Sequence, residues 1–201
     1  MVVGIIDYGM GNLHSVQRKL HILSTEFKIV RNSTELFDCD KIILPGVGHF
    51  GAAMQKLQSQ KQVEALSQAV LVDKKPILGI CLGMQLMAET SEEGNAKGLG
   101  WIKTKIVKFD VDNSMNFKVP HIGWNTVQAD NSKLLDAKEN EFYFVHSYHA
   151  QEPEENIVVH KTTYEKEFIS GFEKENIFGV QYHPEKSHDQ GILLLKRFLE
   201  L

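Results

Sequence analysis

The 201-residue chain is short of the features that mark several protein classes. It has two cysteines, Cys39 and Cys81, and five prolines. A single possible pair in a chain of this size reads as two thiols rather than a stapled secreted scaffold. No apolar stretch nears the roughly 20 residues of a membrane helix. The opening "MVVGIIDYGMGN" has neither the basic start nor the cleavage pattern of a signal peptide and reads as a first strand. No block of Lys or Arg appears and the net charge is −4, which argues against a dedicated nucleic-acid face. Repeats, low-complexity tracts and linkers are also missing. These absences point to a single cytoplasmic domain spanning 1–201, without a membrane or nucleic-acid partner. A hydrophobic content of 42% and a charged content of 24% suit one ordinary core.

In the first half, short apolar runs alternate with amphipathic stretches. Strands are expected at 2–6, 27–30, 41–44 and 76–80. Helices are expected from Leu13, over 54–72 and over 84–90. This alternation predicts an α/β fold with a mostly parallel central sheet between helices. In the second half, strand-like runs at 101–109, 142–148, 157–159 and 177–182 are separated by "DVDNS", "DNS", "EPEEN" and "EKEN", and predict antiparallel additions. "GILLLKRFLE" closes the chain as an amphipathic helix.

The most informative stretch is "PILGICLGMQLM", Pro76–Met87. Its Gly-x-Cys-x-Gly core, Gly79 to Gly83, has the form of a nucleophile elbow, a tight strand-to-helix turn that raises a thiol on a strained backbone. Glycines two residues either side remove the bulk that would clash. The Leu82 amide and the helix start favour a thiolate and a developing oxyanion. A buried structural cysteine beside packing glycines fits the pentapeptide equally well. In "GVQYHPEKSH", His183 and Glu185 fall on one side of an extended chain, so a carboxylate can brace an imidazole. "LPGVGHF" follows a strand and offers backbone amides near Val47 and Gly48 as a second oxyanion donor. Gln85 lies one helical turn beyond Cys81, while Met84, Leu86 and Met87 are expected in the core. "DYGMGN" resembles a phosphate loop but lacks the full glycine fingerprint and a Walker lysine, and reads as a structural turn at the sheet edge. Cys39 has no motif around it.

Together "GICLGMQL", "LPGVGHF" and "GVQYHPEKS" resemble the class I glutamine amidotransferases. "GIIDYGMGNLHSV", "KVPHIGWN", "YFVHSYH" and "NIFGVQYHPEKS" narrow the resemblance to the glutaminase subunits of imidazole glycerol phosphate synthases. The motifs run from Gly4 to Ser187. The resemblance implies a flavodoxin-like three-layer fold and a Cys81–His183–Glu185 triad that hydrolyses glutamine through a thioester. It implies an oxyanion cradle at Gly46, Val47, Gly48 and Leu82, and glutamine held by Gln85 and the backbone of His146, Ser147 and Tyr148. Neither cofactor nor metal is expected. The implied partner is a (β/α)8 barrel cyclase that receives the ammonia for histidine biosynthesis, with Trp124 and Lys186 at the interface. The sequence departs from the family pattern at Glu165, where Gly usually follows Tyr164, at His149, and at His188 in "EKSH". Related subunits feed ammonia to sugar-amidating synthases, and a thiol peptidase or an inactive binding protein on the same fold is a reading from another class.

Overall fold

The structure, a computed structural model, describes residues 1–112, 115–136 and 140–201. Five parallel strands form its centre: β1 (Val2–Ile6), β2 (Glu26–Val30), β3 (Lys41–Gly46), β4 (Ile77–Cys81) and, from far along the chain, the strand Ile177–Val180. β1, β3 and β4 are almost wholly buried and carry little but aliphatic residues, as strands covered on both faces must.

Helices α1 (Leu13–Ile22), α2 (Ser33–Phe37), α3 (Phe50–Ser59) and α4 (Gln62–Ser67) follow in the first half, and a π-type turn, Gln68–Val72, extends the last of them. Their starts are written in the sequence. Asn12 accepts from Ser15 N at 3.3 Å and Asn32 from Glu35 N at 3.1 Å, each satisfying an otherwise orphaned amide. α1 buries Val16 and Leu20, one turn apart.

The expected helix over 84–90 does not form. A single turn, α5 (Leu82–Gln85), is followed at once by strand β5 (Ala88–Ser91). Strand pairing takes over there: the amides of Leu99 and Trp101 bond the carbonyls of Leu86 and Met87 at 2.7 and 2.9 Å. Gly98 makes the approach possible, since a Cβ there would overlap the Ala88 carbonyl. Met84, Leu86 and Met87 are fully buried, as expected.

The remaining strands are β6 (Ala96–Lys97), β7 (Ile102–Lys108), β8 (His121–Val127), β9 (Asn140–His146), β10 (Tyr148–Ala150), β11 (Val158–Tyr164), β12 (Lys166–Lys174) and β13, the Ile177–Val180 strand already described. Helix α6 (His188–Glu200) ends the fold. The large sheet runs β2-β1-β3-β4-β13-β12-β10-β7-β5-β6, with β11 also on β12. β13 pairs antiparallel with β12 and parallel with β4, and so joins the antiparallel half to the parallel one. The expected 142–148 strand splits: β9 pairs with β8 in a separate hairpin, and only β10 joins the large sheet. The Asp7–Asn12 turn lies beyond β1, one strand in from the edge rather than at it.

The hydrophobic core has two parts. One lies under α2 to α5, and the other lies under α1, α6 and the β8–β9 hairpin. Among the described residues no helix is long and apolar enough to cross a membrane.

The second part of the core holds a buried polar knot. His160 Nε2 meets Glu173 Oε1 at 2.9 Å and its Nδ1 meets the Tyr182 hydroxyl at 3.0 Å. Ser132 Oγ donates to the same carboxylate, whose other oxygen accepts from Lys133 N at 2.9 Å. Burial raises the Glu173 pKa, but His160, Ser132 and the amide together hold it below the usual carboxylate value. Gly171 leaves room for the His160 ring. Glu173→Ala strands the imidazole, the Ser132 hydroxyl and the Lys133 amide, so it should cost about 3–5 kcal/mol of stability. Urea denaturation measures this; a loss under about 1 kcal/mol would show the knot to be dispensable.

Candidate active site

In parallel α/β sheets the carboxyl ends of neighbouring strands frame the ligand crevice. Here β3, β4 and β13 end together, with Gly46 in register with Cys81 and Val180 in register with Ile80. Cys81 is the last residue of β4 and sits at φ 54°, ψ −109°, a conformation a non-glycine residue rarely adopts. The flanking glycines are required by contact. A Cβ on Gly79 would lie 2.7 Å from Met84 N, and one on Gly83 would overlap the Leu44 carbonyl oxygen and lie 2.8 Å from its carbon. The bend is therefore the elbow anticipated from Gly79–Gly83. Its helix, at one turn, is shorter than the expected one and contributes correspondingly less dipole.

The chain leaves β13 extended, and His183 Nδ1 meets Glu185 Oε1 at 2.7 Å. Both side chains are nearly inaccessible. His183 Nε2, the nitrogen Glu185 does not use, has no conventional hydrogen-bond partner among the described residues. Cys81 is nonetheless near enough to act on the ring. Burial lowers the His183 pKa, but the negative sulfur of Cys81 and then Glu185 outweigh it and push the value up to about 10. The favourable contribution of this charged ring is complete below the ordinary 6.5 and is lost as the pH rises through about 10. Cys81→Ala removes the largest raising influence, so the His183 titration should fall well below 10; imidazole NMR of the two forms reads it, and an unchanged titration would show that Cys81 does not act on the ring.

Unsatisfied polarity gathers here. Of the five buried side-chain atoms without a partner among the described residues, three are His183 Nε2, Glu185 Oε2 and the Tyr8 hydroxyl. Tyr8 lies against Gly46, and its pKa is raised, by burial first and then by the charge of Cys81. Orphan polar atoms are rare in native interiors and cluster where function demands them.

A cavity of about 380 Å³ opens beside Cys81 and is walled by Val47 and Gly48 after β3, Leu82 and Gln85 of α5, and His146, Ser147 and Tyr148. Its size suits a small metabolite. Gly48 has φ +114°, which needs glycine. Gly46 does not line the cavity; it packs beneath, against Tyr8, Leu82 and Gly83. Gln85 differs from expectation in what it offers. Its Nε2 donates to Tyr148 O at 3.1 Å and to Gln181 Oε1 at 2.9 Å, so both amide hydrogens are used inside the protein.

Two lining or neighbouring residues escaped the sequence reading. Glu93 brings a carboxylate to the cavity wall while its Oε2 accepts from Phe50 N, at the start of α3, at 2.7 Å. Gln181 donates to Cys81 Sγ at 3.6 Å. The two-residue alternation that aligned His183 with Glu185 extends back to Gln181 and was a usable signal. Glu93, in the polar run "TSEEGN", gave none.

Trp124 and Lys186 lie apart from the cavity, on the outer face. Trp124 is 45% exposed and stacks on His188 at 5.1 Å with ring planes 3° apart. Lys186 Nζ sits 5.5 Å from the centre of the Tyr143 ring.

The family model described as "Glutamine amidotransferase class-I" matches residues 4–200. The chain belongs to the class I glutamine amidotransferases. Among curated relatives, the "Imidazole glycerol phosphate synthase subunit HisH" of Leptospira interrogans is 45% identical over 204 residues, covering all of both chains. The protein of the same name from Methanocaldococcus jannaschii is 46% identical over 205 residues, again over the whole of both. A solved glutamine amidotransferase matches with a TM-score of 0.79 at 16% identity, covering 100% of this chain and 98% of that one. That likeness shows the fold of this amidotransferase: an α/β domain with a large, mostly parallel sheet flanked by helices. Glu165, one of the expected departures from the family pattern, closes the β11–β12 turn at φ 60°, and its carboxylate accepts from Asp112 N at 2.9 Å.

Proposed function

We propose that this amidotransferase, as one domain over residues 1–201, is the cytoplasmic glutaminase subunit of an imidazole glycerol phosphate synthase and serves histidine biosynthesis. The observation that carries the reading is the joint placement of Cys81 on its elbow, the His183–Glu185 pair and a metabolite-sized cavity beside the sulfur. Identities of 45% and 46% over full length to proteins named as that subunit support the pathway.

In this mechanism the Cys81 thiolate attacks the side-chain carboxamide carbon of glutamine. The oxyanion forms near the Leu82 amide and the Gly46-Val47-Gly48 segment. His183, charged while the sulfur is charged, gives its proton to the departing nitrogen, and ammonia leaves. Acylation removes the sulfur's charge, and with it the largest influence raising the His183 pKa. The neutral ring can then take a proton from water, which attacks the thioester and releases glutamate. Glu185 holds the ring throughout. Glu93 faces the substrate's ammonium group, Gln85 presents its carbonyl oxygen, and the backbone of His146–Tyr148 completes the grip.

The partner is a (β/α)8 barrel cyclase. Trp124, Tyr143, Lys186 and His188 make one aromatic and basic patch suited to docking. The patch is tied to the triad, since His183 N donates to Tyr143 O at 2.9 Å. Ammonia is delivered unprotonated through a dry passage, because ammonium, its main form in neutral water, is not a nucleophile. Hydrolysis is best held back until the partner carries its nucleotide, with the Val47–Gly48 amide as the adjustable part. The test is to mix the chain with the cyclase and measure glutamate release with and without nucleotide. At least about tenfold stimulation is expected, corresponding to about 1.4 kcal/mol of coupling. Equal rates for the isolated chain and the loaded complex would refute the coupling, and no release under any condition would refute the proposed function.

A further inference from the structure

Cys81 has a neighbour that neither the elbow nor the triad accounts for. Gln181 follows β13, is fully buried, and donates through Nε2 to Cys81 Sγ at 3.6 Å. Its backbone amide is held by Ser170 O at 2.9 Å. We propose that Gln181 is a positioning residue for the nucleophile: it holds the sulfur in the attacking orientation and gives its negative form a hydrogen bond. This rests on the glutaminase reading above.

The direction of that hydrogen bond follows from the groups behind it. The carbonyl oxygen of Tyr148 can only accept. It takes Gln85 Nε2 at 3.1 Å and His146 Nδ1 at 2.7 Å, so both must donate. With Gln85 Nε2 also 2.9 Å from Gln181, the Gln181 atom facing it must be the oxygen, and the Gln181 amide nitrogen must then face Cys81. A backbone carbonyl thus sets the polarity of the whole row.

The row continues away from the site with the same logic. His146 Nε2 must accept and meets His121 Nδ1 at 3.1 Å, while His121 Nε2 meets Asn125 Nδ2 at 3.4 Å. His121 and His146 are cross-strand partners of the β8–β9 hairpin. Burial lowers the pKa of both, to about 4 for His121, which keeps them in the neutral form that can accept. Tyr148 O fixes the Gln85 amide, so turning the Gln181 amide over would bring the nitrogens of Gln181 and Gln85 face to face and take the donor away from Cys81. A donor fixed in this way strengthens as the sulfur gains charge, since hydrogen bonds to ionised groups are about twice as strong as neutral ones.

The test uses two variants in the complete complex. Gln181→Met keeps the length but not the donor. It should lower kcat about 10- to 100-fold while KM stays within about threefold, the range for one hydrogen bond to a charged group. Gln181→Glu can donate only when protonated and repels the thiolate when ionised. Its activity relative to wild type should therefore rise steadily as the pH falls. The same relative dependence should appear in the rate of Cys81 carbamidomethylation, followed by peptide mass spectrometry. That measurement needs no glutamine, so it tests Gln181 even if the glutaminase reading fails. If Gln181→Met does not fold, the Gln181→Glu profiles decide. A Met variant with kcat within twofold of wild type, or a flat ratio across pH for the Glu variant, would overturn the proposal.

Discussion

Cys81→Ala abolishes glutamine hydrolysis, with a loss of at least about 10⁴-fold, and leaves ammonia-dependent synthesis by the partner intact. The size of the loss follows from the chemistry. Without the sulfur no thioester forms, and a water would have to attack the carboxamide directly, with His183 no longer charged by its neighbour. Selectivity follows from the structure: alanine occupies the same space at φ 54° with less bulk, and the sulfur's polar neighbours, Gln181 and His183, both belong to the site rather than to the partner-facing surface. The β8 and Lys186 face is untouched. Paired assays of the purified complex, with glutamine and with ammonium salt as nitrogen source, measure both halves. Glutamine turnover surviving in the variant would end the case for a thiol nucleophile. Equal loss in both assays would show that the substitution had damaged the complex rather than the chemistry.

Gly83→Ala should be among the most damaging single changes in the chain, although it adds one methyl group. That methyl would overlap the carbonyl of Leu44, a backbone group that pairs β3 with β4 and cannot swing aside as a side chain would. Either β3 and the elbow separate or the turn unwinds. In both cases Cys81 leaves its place between Gly46 and Val180. We expect a stability loss of about 3–5 kcal/mol, the upper tail for point substitutions, and at least about 100-fold less glutaminase activity in whatever remains folded. Urea denaturation and activity on the same preparation measure this. A variant within about 1 kcal/mol of wild type and of normal activity would mean that the elbow tolerates bulk.

The parts of this fold that were legible in the sequence are those ruled by short-range periodicity. β1, α1, β2, β3 and β4 declare themselves through apolar runs and capping asparagines, and α6 through its apolar face. The failures share a cause: pairing with residues distant in sequence. Residues 86–90 read as helix because their apolar spacing is ambiguous. They become strand because β7 and the Gly98 turn supply partners that only the folded chain brings close. β8 was missed because Gly123 and Asn125 break its apolar pattern; its inward side is polar and is satisfied by His146 and Thr163. The candidate site divides in the same way. Cys81, His183 and Glu185 sit in motifs with local geometry. Glu93 and the link from Gln85 to Gln181 depend on which side chains meet across the cavity, and no spacing rule encodes that.

The measurement that bears most directly on this account is to quench the complex in acid during turnover with isotopically labelled glutamine and to locate the label by peptide mass spectrometry. The account predicts a glutamyl group on the peptide carrying Cys81, removable by hydroxylamine. That group should accumulate when the deacylation step is slowed. Steady glutamate release with no label on Cys81, or with label on another residue, would contradict it.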